Sequence, residues 1–154
     1  MSVAEIRVLT PADTARMEQL LDVFGAAFED PEHYGAARPG AAYLARLLGR
    51  DDFITIVALV DGAVVGGLAA YQLHKFERAR SEIYIYDLAV AEPYRRRGVA
   101  TAVIAELQDI AARRDAWVVY VQADLGDEPA IALYSKLGVR EDVLHFDIPP
   151  RRRH

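Results

Sequence analysis

Residues 86–107 read YDLAVAEPYRRRGVATAVIAEL and set three arginines, Arg95, Arg96 and Arg97, between an apolar strand and an apolar helix. A strand that enters a short loop and then a helix leaves the first helical N–H groups unpaired, with the positive end of the helix dipole at the loop. Such a junction suits an anion. Gly98 and Ala100 are small enough for the backbone to approach a phosphate closely, and Thr101 adds a hydroxyl. The competing reading is a solvated basic turn, because R-x-x-G-x-A is a weak string by itself. The segment is neither GxGxxG nor GxxxxGK[ST], so it fits neither a dinucleotide nor an ordinary P-loop fingerprint.

The flanks agree with a strand–loop–helix reading. Val103, Ile104, Leu107, Ile110 and Ala111 recur at helical spacing after the loop. Before it, SEIYIYDLAV (81–90) predicts a strand with Tyr84 and Tyr86 on one face and apolar residues on the other. FITIVALV, the Asp61-Gly62 pair and AVVGGLAAYQL predict a hairpin, since Asp-Gly supplies the positive φ angles of a two-residue turn. Toward the N-terminus, an opening strand precedes Thr10-Pro11-Ala12-Asp13, which reads as an N-cap, a first-turn proline and a first-turn acid of a helix over 11–28. Residues 40–50 repeat the amphipathic pattern briefly, and the Pro- and Gly-rich stretch 29–40 between them reads as a loop. After the central helix, WVVYVQAD (117–124) predicts a short buried strand. Residues 129–137 form a helix bounded by Pro129 and Gly138, VLHFDI (143–148) predicts a last strand, and 149–154 read as a solvated tail. The expected fold is α/β, a single domain over 1–154, with one mixed twisted sheet of about six to seven strands flanked by about four helices.

Composition narrows the function. The chain has 154 residues, 53% hydrophobic and 27% charged, which places it among soluble globular proteins. It shows neither an 18-residue apolar run nor a signal-peptide pattern, so no membrane is expected as a partner and the cytoplasm is the expected location. It has no cysteine, which excludes disulfides, thiolate metal sites and a cysteine nucleophile. Four histidines lie far apart without ligand spacing, and none of the three serines sits in GxSxG, so neither a metal enzyme nor a serine hydrolase is expected. A net charge of -5 argues against nucleic acid and suits a cationic small substrate, although it is also ordinary solubility charge.

Two acids bear on that cation. Asp87 interrupts an apolar and aromatic strand, and Asp124 ends the next one. A carboxylate in such a place is costly without a partner and invites an ammonium, unless Asp87 is a satisfied polar core residue and Asp124 a turn-forming residue before Leu125-Gly126. Glu82, Asp127 and Glu128 extend the acidic lining.

RRRGVA between DLAV and an amphipathic helix resembles the pyrophosphate loop of the GCN5-related N-acetyltransferases, whose pattern is Q/R-x-x-G-x-G/A. PAIALYSKLGV (129–139) matches that superfamily's later A-x-x-x-Y-x-x-x-G helix through Ala130, Tyr134 and Gly138. HKFERARSEIYIYDLAV and YVQADLGDEPAIALYSKLGVREDVLHFDI further resemble the type I aminoglycoside 3-N-acetyltransferases, gentamicin-modifying members of the superfamily. The likeness spans roughly residues 20–148 and is dense from 66 onward. Asp127 stands where Asn is common, and Val139 where Phe usually follows the glycine.

The resemblance implies acetyl-CoA as co-substrate, bound through its pyrophosphate by Arg95, Arg96, Arg97, Gly98, Val99, Ala100 and Thr101. It implies that the backbone of Leu88, Ala89 and Val90 holds the pantetheine and thioester as an added strand. It places Asp87 near the acceptor amine as base or anchor, and makes Tyr134 the acid that protonates the departing thiolate, where a core tyrosine is the plain alternative. Glu29, Asp30 and His33 lie in a loop that often forms the acceptor wall, and Tyr86, Glu29 and Asp30 join the expected aminoglycoside-binding set. Dimers are frequent in the superfamily, so a homodimer is an option. The readings in competition are an acetyltransferase for another amine, such as a polyamine or a protein amine, and a catalytically silent acyl-CoA sensor.

Overall fold

In the computed structural model, which describes residues 3–152, Asp61 and Gly62 both take positive φ, 50° and 81°. That is the turn geometry that matches the twist of a tight hairpin. Around it the described elements run β1 (Glu5–Val8), α1 (Thr14–Ala27), α2 (Pro31–Gly35), α3 (Ala41–Leu48), β2 (Phe53–Val60), β3 (Ala63–His74), β4 (Ser81–Val90), a 3₁₀ turn (Glu92–Tyr94), α4 (Val99–Arg113), β5 (Ala116–Val121) and α5 (Glu128–Leu137). The sheet has five strands in the order β1-β2-β3-β4-β5. All neighbours are antiparallel except β4 and β5, which are parallel.

Alternation along the strands divides the core between two faces. Val57 and Leu59 pack with Leu20 and Phe24 of α1 and Leu44 and Leu48 of α3, whereas Ala58, Val65 and Val90 pack with Val99 of α4. Gly67 allows the first of these contacts, since a Cβ there would lie 2.4 Å from the Ile56 carbonyl oxygen and 2.9 Å from Leu20 Cδ1.

Alternation alone would aim Asp87 at the α4 face, in phase with Ile83 and Ile85. It does not point there, because the β3–β4 register shifts between Ala69, opposite Asp87, and Ala70, opposite Ile85. Tyr86 is the extra residue of a bulge, which returns the strand to phase one residue late. Asp87 and Ala89 consequently share the α1 face with Tyr86.

The structure corrects several expectations. The first helix starts at Thr14, not residue 11, with Asp13 in the cap position. Thr10 instead donates its N–H and its hydroxyl to the Asp13 carboxylate, at 2.8 and 3.0 Å. The stretch 29–40, read as loop, contains α2, whose cap Asp30 accepts the His33 N–H at 3.2 Å. β5 is not a buried strand: it forms a sheet edge, and Trp117 is 59% exposed with the Arg80 guanidinium 3.6 Å above its ring. No strand follows β5 among the described residues, so the sheet has five strands rather than six or seven, and five α-helices rather than four accompany it. Residues 143–148 alternate suitably for a strand but form none.

The chain clusters into two compact units, one running through Gln122 and one from Ala123 onward. The first holds the sheet and α1–α4. The second holds α5 and the extended residues after it, where Arg140 pairs with Asp142 and His145 with Asp147.

Candidate active site

β4 and β5 pair only from Ser81–Ala116 to Ile85–Val121, whereas β3 accompanies β4 through Val90. From Tyr86 to Val90, therefore, the β5-side edge of β4 has no strand beside it. An edge of this kind presents free main-chain donors and acceptors to an extended ligand.

That edge leads to the arginine loop. Gly98 occupies the cap position of α4 in the left-handed region, φ 77°, with no side chain capping the first turn. The first amide bonded inside the helix is that of Ala102, to the Gly98 carbonyl at 3.0 Å, which leaves the N–H groups of Val99, Ala100 and Thr101 for an anion. Arg96 also has positive φ, 62°. Open amides at a helix start, beside an unpaired strand edge, fit the pyrophosphate and the extended pantetheine arm of a coenzyme A thioester.

The three arginines are not equivalent. Arg95 turns back, its Nε donating to the Val90 carbonyl at 2.9 Å and tying the loop to the strand end. The Arg97 guanidinium lies 5.6 Å from the Tyr94 ring centre, while Arg96 is exposed. At Gly98 a Cβ would meet no protein atom within 4 Å, so the backbone angle is what demands glycine there.

Asp87 sits where the open edge begins. Its Oδ2 accepts a hydrogen bond from the Tyr34 hydroxyl at 3.1 Å, and among the described residues no lysine or arginine lies within ion-pair distance of it. Burial pushes its carboxyl above the usual range, opposed by the Tyr34 hydrogen bond and by His33. It borders a pocket of about 180 Å³ whose wall includes Phe24, Tyr43, Phe53, Tyr71 and Tyr86. Phe53, Tyr71, Tyr86, Tyr84 and Tyr120 form a ladder of aromatic rings across four strands, with successive centroids 4.7–5.9 Å apart. The pocket combines a ring-stacking wall with one uncompensated acid, which suits an amine carried on a ring. A larger depression of about 490 Å³ adjoins the C-terminal end of α4 and shares Phe53 with the Asp87 pocket.

The other predicted acids do different work. Glu82 is paired with Lys75 Nζ at 2.9 Å. Asp30 caps α2, and Glu29 is exposed with φ 53°. In the second unit Asp127 caps α5, accepting the Ala130 N–H at 3.3 Å. Glu128 is the first residue of α5, and the Asp124 carbonyl accepts the Asp127 N–H at 3.1 Å. Tyr134 is partly buried on α5, and burial together with the Asp127 carboxylate pushes its hydroxyl above the phenol range. Among the described residues no group of three or more His, Asp or Glu side chains is gathered for a metal ion, and no helix is long and apolar enough to cross a membrane.

Sequence reasoning missed Tyr34, Tyr43 and Tyr71. Tyr34 fell in a stretch read as loop, Tyr43 on a brief helix, and Tyr71 reaches the site only through the hairpin register, opposite Phe53 on β2 and Tyr84 on β4.

Comparison with known proteins adds family context. A family model described as the acetyltransferase (GNAT) family matches residues 17–139. Among solved structures, the chain is 58% identical to an aminoglycoside acetyltransferase, HMB0005, from an uncultured soil metagenomic sample, covering 97% of this chain and 99% of that one with a TM-score of 0.94. It is 29% identical to another soil metagenomic aminoglycoside acetyltransferase, meta-AAC0020, crystallised with sisomicin, covering 96% of this chain and 97% of that one with a TM-score of 0.89. Among curated proteins, an N-alpha-acetyltransferase of Saccharolobus solfataricus is 32% identical over 96 residues, a match spanning 55% of this chain and 55% of that relative.

Proposed function

The chain belongs to the GNAT acetyltransferase family, and we propose that within it the protein is an aminoglycoside 3-N-acetyltransferase that confers resistance by removing the charge of an amine. The observation that carries this reading is Asp87, a half-buried carboxylate with no lysine or arginine within ion-pair distance among the described residues, set against an aromatic wall at the start of the open β4 edge. The likeness to two aminoglycoside acetyltransferases, one at 58% identity, supports a ring-borne amine as the acceptor.

GNAT acetyltransferases use acetyl-CoA, which supplies the acetyl group on an activated thioester. In the proposed arrangement the main chain of Leu88, Ala89 and Val90 holds the pantetheine arm, and the amides of Val99, Ala100 and Thr101 hold the pyrophosphate, helped by Gly98 and the flanking Arg95, Arg96 and Arg97. Asp87 meets the acceptor amine, taking its proton or holding it by charge. Tyr86 offers its ring to the acceptor, while Glu29, Asp30, Asp124, Asp127 and Glu128 contribute negative potential around a polycation, Glu82 being offset by its ion pair with Lys75. Tyr134 returns a proton to the thiolate; a hydroxyl pushed above the phenol range stays protonated at neutral pH, as a donor must.

The half-length match to an N-alpha-acetyltransferase favours a second reading, with a peptide α-amine as acceptor. Thiol release with gentamicin and with a short peptide separates the two, and regiochemistry by NMR of the acetylated drug tests the 3-N position. A homodimer and a cytoplasmic location belong to the same proposal.

A further inference from the structure

Asp87 is not left to find its own orientation. The α1–α2 corner is built to deliver one hydroxyl to it. Gly25 lets α2 close onto α1, since a Cβ there would lie 3.3 Å from both Pro31 Cα and Tyr34 Cβ. Arg38 then fixes the backbone of Tyr34: its Nε and Nη2 donate to the Tyr34 carbonyl at 3.1 and 2.8 Å, and Nη2 also donates to Asp22 on α1 at 2.8 Å. The Tyr34 ring is held among Phe24, Phe28 and His33, with centroid distances of 6.0, 5.7 and 4.9 Å. From this socket its hydroxyl spans 53 positions of sequence to reach Asp87 Oδ2.

We infer that Tyr34 is a positioning residue for the acetyl-acceptor site, holding Asp87 Oδ2 so that Oδ1 stays turned toward the pocket and the incoming amine. The inference rests on the proposed use of Asp87 and adds a residue to it. Tyr34 does not itself touch the reacting atoms. Because its hydroxyl donates, it stabilises the ionised carboxylate that an ammonium needs, against the opposing effect of burial. The titratable groups that face Asp87 or share its pocket are Tyr34 and His33 from α2, Tyr43 from α3, Tyr71 from β3, and Tyr84 and Tyr86 from its own strand. His33 acts in the same direction as Tyr34, but the Tyr34 hydroxyl is the side-chain donor bonded to the carboxylate, so its removal is what the carboxylate should register.

The test combines a carboxyl ¹³C NMR titration with steady-state kinetics on full-length wild type and Tyr34→Phe, which keeps the ring in its socket. Asp87→Asn assigns the resonance by its loss. In Tyr34→Phe the Asp87 titration midpoint should move to higher pH, and kcat/KM for gentamicin should fall about tenfold, as for a lost hydrogen bond to a charged group, with the KM for acetyl-CoA unchanged. A midpoint that stays at the wild-type pH overturns the inference, and so does a shifted midpoint with unchanged kcat/KM. The underlying reading fails separately, if Asp87→Asn turns gentamicin over at the wild-type rate.

Discussion

Asp87 is half-buried with no lysine or arginine within ion-pair distance among the described residues, and burial outweighs the help of Tyr34 and His33, so ionising it in the fold costs free energy that ionising it in the unfolded chain does not. Its folded pKa lies above its unfolded one, so its stabilising contribution is complete below the unfolded value and is lost as pH rises through the folded value. Asp87→Asn supplies a neutral group at every pH. Scanning calorimetry should therefore show the variant melting above wild type at pH 7, by about 2–4 °C for each kcal/mol recovered, with the gap closing below about pH 4. The same variant should lose about 10²- to 10⁴-fold in turnover while binding acetyl-CoA normally, the range for a lost general base. A variant more stable but less active is what a site strained for function gives. Tyr134→Phe removes only a hydroxyl. It should lower kcat by about 10²-fold with little change in either KM, the pattern of an interaction made in the transition state, and normal turnover would reduce Tyr134 to packing. Asp87 was legible in the sequence because an acid in an apolar strand is conspicuous. Its partner was not, because nothing local to Tyr34 shows a contact made 53 positions away.

At the scale of the element, the order of strand, loop and helix between β4 and α4 was readable from period and punctuation, whereas the 3₁₀ turn at Glu92–Tyr94 and the left-handed φ of Gly98 were not. The β4 bulge was not readable. It decides which face Asp87 adorns, yet it arises from pairing with β3 rather than from any residue of β4 itself. The helix over 31–35 was hidden by its Pro and Gly neighbours, and it exists because Asp30 caps it and Gly25 admits it against α1. Gly98→Val tests the junction. A β-branched residue at φ 77° should destabilise the protein by about 1–2 kcal/mol, and calorimetry on the folded variant should find acetyl-CoA bound at least about tenfold more weakly. Undiminished affinity would remove the α4 start from the cofactor site.

For the whole molecule, composition and element order gave the α/β class, and two motifs gave the family. The count of strands went astray at residues 143–148, where alternation in sequence cannot create a partner for the main chain. The proposed homodimer rests on how often dimers occur in the superfamily, and its test is direct: light scattering on the full chain should give twice the 17.1 kDa of one copy, and a monomer mass at every concentration would count against pairing. The acceptor is tested by a single panel: thiol release from acetyl-CoA with gentamicin, kanamycin, spermidine and a lysine peptide under one set of conditions. The aminoglycosides should give the highest kcat/KM, with gentamicin acetylated at its 3-amine. Turnover of the peptide or spermidine with none of either aminoglycoside would contradict the account.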